Sequence, residues 1–179
     1  MKITFITGNK NKFAEAHKII PDLEQSDINL TEMQSVDPKE IIKHKLNEAK
    51  KLMKGNLVVE DTSLYFECLN GLPGPLVKWF LKTVGNEGLA KMVEPFKNNR
   101  AEAKVIIGFN RENGSTEFFE GSIKGSVVTP RGNNGYGWDP IFIADGMDKT
   151  FGELTIEEKE KVSMRGEAFR KLADFIAKH

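Results

Sequence analysis

The segment that most constrains this chain is its start. Lys2 to Thr7 (KITFIT) is a short run of β-branched and aromatic residues that stops at Gly8-Asn9, the pattern of a strand running into a turn. From Asn9 to about Ile20 the spacing changes: Phe13, Ala16 and Ile20 recur at i, i+3 and i+7, and Pro21 closes the run, which predicts a helix. A strand, a tight turn and a helix in that order open a βα unit, whose helix has to cover one face of a sheet.

The rest of the chain is consistent with that start. Leu23 to Leu30 alternates loosely and reads as a second strand. Asp37-Pro38-Lys39-Glu40 predicts a helix start, with Asp37 as N-cap, Pro38 at the first helical position and Glu40 closing a capping box. Ile42, Leu46, Ala49 and Met53 form its apolar stripe, and Gly55 follows as a stop. Leu57-Val58-Val59 is a fully apolar strand core that is expected to end at Glu60-Asp61-Thr62. Gly71 to Pro75 forms a rigid loop before a helix from Leu76 to Val84 and a shorter one near Leu89 to Val93. Lys104 to Phe109 and Thr116 to Val128 read as strands flanking Asn113-Gly114, a strong hairpin signal. A glycine-rich loop, Pro130 to Gly137, precedes a short strand at Ile141 to Ile143. The last helix carries Phe169, Leu172, Ala173 and Ile176 on one face, with Ser163 as its expected N-cap. With no internal repeat and no dividing linker, the expectation is an α/β fold in one domain over residues 1–179.

Composition narrows the function classes. The 26 Lys+Arg balance 26 Asp+Glu, which removes the footprint of a general nucleic-acid binder. Hydrophobic residues make up 39% of the chain and charged residues 29%, enough apolar side chain for a core. The lone cysteine, Cys68, can form neither an internal disulfide nor a cysteine zinc site and suits a reducing compartment. The apolar stretch at the start is broken too soon for a signal peptide, and no run approaches the ~20 residues of a membrane span. A soluble, cytoplasmic protein without membrane or nucleic-acid-polymer partners is expected.

Four groups of residues could carry chemistry. Thr7-Gly8-Asn9 with Lys12 lies at a strand–helix turn, where backbone N–H groups and a cation suit a phosphate; the same residues would also make an ordinary turn with a solvated lysine. Glu32, Glu60 and Asp61 are acids that could hold Mg²⁺ or polarise a water, or simply cap a turn. Tyr136, Trp138 and Asp139 could stack on a base and bond its edge; Trp138 could equally anchor its loop to the core. Lys159 to Arg165 is a charged run, commonly just a solvated face. His17, His44 and His179 lack metal-ligand spacing and read as structural, as does Cys68.

Taken in order, T-G-N-x-x-K, L-T-E-M-Q, V-V-E-D-T, G-L-P-G-P, G-Y-G-W-D-P-I-F and E-E-K-x-x-V-S-x-R-G resemble the inosine/xanthosine triphosphate pyrophosphatase family, from Lys2 to about Phe175. The resemblance implies a long curved mixed sheet flanked by helices, two lobes with a central cleft, and a homodimer. It implies hydrolysis of non-canonical purine nucleoside triphosphates to the monophosphate and pyrophosphate. Thr7, Gly8, Asn9, Lys12 and Lys45 would hold the triphosphate, with Thr62 beside them. Glu32, Glu60 and Asp61 would serve Mg²⁺, and Asp61 would activate water for attack at the α-phosphorus. Tyr136, Trp138, Asp139, Lys159, Ser163 and Arg165 would form the base pocket, with Arg165 meeting a keto oxygen at C6. Neighbouring readings are a pyrophosphatase for pyrimidine or modified nucleotides and a nucleotide-binding protein without catalysis. The family's closing Ser-His-Arg is here Ser163-Met164-Arg165; methionine donates no strong hydrogen bond, so looser base selectivity or a different nucleobase preference is expected. All of this requires the amine-bearing segments and the acid-bearing strand to meet.

Overall fold

In the computed structural model, which describes residues 2–178, β1 (Ile3–Ile6) is buried along its whole length. A strand covered on both faces is the expected state of a parallel strand with helices above and below. β1 pairs in parallel with both β2 (Leu23–Ser26) and β3 (Asn56–Phe66). The seven-stranded sheet runs β2-β1-β3-β5-β6-β7, with β4 (Pro73–Gly74) antiparallel to β3 and β7 (Phe142–Ala144) antiparallel to β6. β5 (Arg100–Asn110) and β6 (Thr116–Val127) are joined by the expected hairpin, where the Gly114 N–H donates to the Arg111 carbonyl. A mixed sheet flanked by helices matches the sequence reading.

Helix starts follow local chemistry. Asn9 caps α1 (Lys10–Ile19), its side-chain oxygen accepting from the N–H groups of Asn11 and Lys12. Asp37 caps α2 (Pro38–Leu52) at the Lys39 N–H. Glu40 does not close the expected capping box. It accepts from the Ser35 hydroxyl at 2.7 Å, and that hydroxyl oxygen accepts from the Asp37 N–H. α3 (Val77–Val93) is broken at Gly85, whose φ of +67° only glycine adopts readily. The break separates the two helices read from the sequence. α4 (Ile156–Glu160) was not expected; Thr155 and Glu158 form a reciprocal capping box at its start. α5 (Met164–Ala177) follows Ser163 directly.

The second strand is shorter than the alternation suggested, stopping at Ser26. β3 is longer. It does not end at Glu60-Asp61-Thr62 but runs on to Phe66, because Ser63, Leu64 and Phe66 are buried and β4 pairs with Leu64 and Tyr65.

The chain forms two compact units. The first comprises Met1–Asp61, Val105–Gly121 and Met164–His179; the second comprises Thr62–Lys104 and Ser122–Ser163. In the first, Ile42, Leu46 and Ala49 of α2 pack with Ile6, Leu57, Val59 and Ile106. On the opposite face Phe5 meets Phe169 of α5 edge-on, 5.3 Å between ring centroids. In the second, Trp138, Phe142 and Phe151 form an aromatic core. No helix among the described residues is long and apolar enough to cross a membrane. His179 lies outside the described residues.

Candidate active site

The register Phe5↔Val58 places Thr7 and Glu60 two residues beyond a paired position. Both therefore sit at the carboxyl edge of β1, where parallel sheets bind ligands. Successive side chains of a strand point to opposite faces. Leu57 and Val59 face α2, so Asp61 does too, while Glu60 faces the side covered by α1 and α5. Two charge networks result, one on each face.

On the α2 face, the Lys45 ammonium binds Glu32 Oε1 at 3.0 Å, Asp61 Oδ1 at 3.4 Å and the Glu60 carbonyl at 3.0 Å. Burial by itself would lower the Lys45 pKa, but the carboxylates of Asp61 and Glu32 outweigh it and raise the pKa above the ordinary value. Lys45 therefore acts as a fixed positive charge. On the other face, Glu60 is 3% exposed and accepts from Arg165 Nε at 2.8 Å, Arg165 Nη2 at 3.2 Å and Lys12 Nζ at 2.7 Å. Burial alone would raise its pKa; the facing Arg165 and Lys12 reverse that and bring it to about 2. Arg165, 2% exposed, also donates from Nη1 to Glu15 at 2.8 Å. The expected meeting of amine and acid segments is thus direct.

Several assignments change in detail. The amides expected to cradle a phosphate after Gly8 are turned inward: the Asn9 N–H donates to Thr7 Oγ1, and those of Asn11 and Lys12 to Asn9 Oδ1. Lys12 remains the cation of that turn. A Cβ on Gly8 would lie 2.4 Å from Asp27 Oδ1, so that side chain would have to turn aside. Glu60, read as a metal ligand beside Asp61, spends both carboxylate oxygens on Arg165 and Lys12. Arg165, read as a base contact, is packed between two carboxylates that offset the cost of burying it.

Five of the residues expected to form the base pocket belong to the second unit, as does Thr62. Asp139 Oδ2 accepts from the Tyr136 N–H at 2.8 Å and from Lys159 Nζ at 2.5 Å. Lys159 also stands 4.9 Å from the Tyr136 ring centroid. Trp138 is only 5% exposed and stacks on Phe151, which supports the anchoring reading and leaves the half-buried Tyr136 as the more accessible ring. Ser163 is buried immediately before α5.

Glu15 and Asn86 were missed. Glu15 stands one helical turn after Lys12, so the pattern Lys12-x-x-Glu15 was available as a same-face pair. Asn86, just after the α3 break, donates to the Gly137 carbonyl at 2.9 Å; nothing in its sequence neighbourhood signals that contact.

The donor set fits a divalent oxygen-seeking cation. Glu32 and Asp61 converge on one ammonium, and Mg²⁺ is commonly held by one or two carboxylates together with substrate phosphates. Among the described residues no cluster of three or more His, Cys, Asp or Glu could hold a metal ion.

The Ham1 family model matches residues 3–175. The chain belongs to the Ham1 family. Among its Ham1 relatives, the inosine triphosphate pyrophosphatase of Schizosaccharomyces pombe is 42% identical over 97% of this chain and 94% of its own. The dITP/XTP pyrophosphatase of Methanopyrus kandleri is 38% identical over 98% and 96%. The Ham1 protein of Staphylococcus aureus superposes with a TM-score of 0.86 at 26% identity, covering 99% of both chains. The Ham1 fold is therefore shared along the whole chain.

Proposed function

We propose that this protein hydrolyses the non-canonical purine nucleoside triphosphates ITP, dITP and XTP at the α–β anhydride, releasing the monophosphate and pyrophosphate. The observation that carries this is the pairing of Lys12 with Glu60 and of Lys45 with Asp61 at one sheet edge. Relatives named inosine triphosphate and dITP/XTP pyrophosphatases support the substrate class.

Lys12 and Lys45 attract the phosphate oxygens and stabilise the charge that grows on departing pyrophosphate. Lys45, kept protonated by Asp61 and Glu32, cannot be the base. Asp61, at 13% side-chain exposure, orients the attacking water and accepts its proton. A carboxylate is a weak base, with an ordinary pKa of about 4. Bound Mg²⁺, held by Glu32 and Asp61, would supply the Lewis-acid assistance that compensates for that weakness. Electrostatics argues the same way: in this site three cations face four carboxylates, so a triphosphate carrying Mg²⁺ is better matched to it than a bare one.

Toward the base, Lys159 is held in place by Asp139. A C6 keto oxygen can accept from such a donor, whereas the amino group of adenine cannot. Met164, buried at the start of α5, supplies no strong donor, so discrimination among keto purines is expected to be loose. The protein acts as a cytoplasmic homodimer in this reading; the single Cys68 and the exposed apolar Leu72, Trp79 and Val84 support it.

The test is pyrophosphate release from ITP, XTP, GTP and ATP with and without Mg²⁺. The expected order is ITP and XTP, then GTP, then ATP, with turnover requiring the metal. Asp61→Asn should abolish turnover and keep nucleotide binding; equal rates for ATP and ITP, or an active Asp61→Asn, refute the reading.

A further inference from the structure

We infer that Glu60 is a positioning residue that holds Lys12 and Arg165 and takes no part in metal binding. The inference rests on the pyrophosphatase reading and concerns how its two adjacent acids divide the work. Sequence adjacency suggests a shared role for Glu60 and Asp61, but strand geometry separates them. Neighbours on β3 address opposite faces, and the contacts confirm it: Asp61 meets Lys45 of α2, whereas Glu60 meets Lys12 of α1 and Arg165 of α5.

The bonding capacity of the carboxylate points the same way. Oε2 accepts from Arg165 Nε at 2.8 Å, while Oε1 accepts from Arg165 Nη2 at 3.2 Å and from Lys12 Nζ at 2.7 Å. This is the two-pronged guanidinium–carboxylate geometry, with one lysine added. A metal ion would have to displace a cation from a site that is 3% exposed and leave that cation buried without its counter-charge, an expensive exchange. Glu32 is the more open carboxylate, its side chain 36% exposed. Glu15 completes the arrangement by taking the other edge of Arg165. Lys12, Glu15 and Arg165 are thereby fixed relative to β3 before any ligand arrives, which is what a preorganised anion site requires.

The experiment compares Glu60→Gln, Glu60→Asp and Glu32→Gln with the native protein, each checked for native circular dichroism. Two quantities are read: the Mg²⁺ concentration giving half-maximal ITP turnover, and the affinity for pyrophosphate measured calorimetrically in EDTA. Glu60→Gln should weaken metal-free pyrophosphate binding and raise KM for ITP by roughly tenfold, the scale of one misplaced charged hydrogen bond, with Mg²⁺ half-activation moving less than about twofold. Glu60→Asp retains the charge but draws the carboxylate back by one methylene, and should show the same pattern more weakly. Lys12→Met should lower pyrophosphate affinity equally, and adding Glu60→Gln to it should have little further effect, because both act through the same ammonium. Glu32→Gln should do the reverse, shifting Mg²⁺ half-activation and sparing metal-free binding. A Glu60 variant that shifts Mg²⁺ half-activation about tenfold while leaving metal-free pyrophosphate binding unchanged, or additive effects of Glu60→Gln and Lys12→Met, would overturn the inference. Native protein that binds pyrophosphate but does not turn over ITP would instead overturn the pyrophosphatase reading.

Discussion

Acid should unfold this protein partly through one residue. Glu60 is buried, which pushes its carboxyl up, yet Arg165 and Lys12 bring it down from 4.5 to about 2. The unfolded chain therefore binds a proton at Glu60 that the native chain refuses between these two values. Stability from this group is fully present above the unfolded value and is lost as pH falls from about 4.5 towards about 2. At about 1.4 kcal/mol per pH unit, the difference corresponds to about 3 kcal/mol, a large share of the ~5–15 kcal/mol that holds a domain folded. Urea unfolding followed by circular dichroism, at steps from neutral pH to about pH 2.5, would measure it. Other carboxylates titrate in the same range, so the informative quantity is the difference between native protein and Glu60→Gln. The native protein should lose stability more steeply by up to one proton's slope across the window. Parallel profiles for the two proteins would show that Glu60 titrates like an ordinary surface acid and would refute the assignment of its partners.

The packing around α2 and α5 gives two further expectations. A Cβ on Gly121 would lie 2.0 Å from the Met164 carbonyl oxygen, backbone that cannot turn aside, whereas one on Gly108 would meet the Ile42 and Leu46 side chains. Gly108→Ala should cost about 1–3 kcal/mol by overpacking, while Gly121→Ala should cost more and also lower ITP turnover by shifting Arg165 at the start of α5; thermal unfolding and activity assays of both variants check the contrast. Asn86→Ala removes the hydrogen bond to Gly137 but also a buried side-chain oxygen that lacks a partner among the described residues, so stability should change by less than about 1 kcal/mol. Its effect should appear as a raised KM for ITP with kcat nearly kept, because the loop bearing Tyr136 and Asp139 loses a tether; an unchanged KM would remove Asn86 from that role.

Much of the fold was legible because its signals were local. Asn9, Asp37 and Pro38 begin helices where the sequence placed them, and the Asn113-Gly114 hairpin lies between the expected strands. β3 was cut short because Glu60, Asp61 and Thr62 look like the polar end of a strand. They stay in the strand because cations on both faces neutralise the acids, a non-local fact invisible to periodicity. α4 is too short to show a stripe, although Thr155-x-x-Glu158 announces its cap. For the site, residue types and segments were readable but pairing was not. Nothing in the sequence indicates that Arg165 reaches Glu60, 105 positions away, or that Trp138 turns inward to Phe151.

The division of Glu60 and Asp61 between the faces of β3 bears on how the strand finds its place. Leu57, Val58 and Val59 are all buried, so the strand is oily above and below, and a slip of one residue would still give each layer of helices greasy side chains to pack on. Hydrophobicity alone therefore leaves the alignment ambiguous. The acids remove that ambiguity, since a slip that turned Glu60 toward the lysine of α2 would leave Arg165 and Lys12 opposite Val59. These charges act as the notch that seats the strand, and a misaligned chain would be unstable.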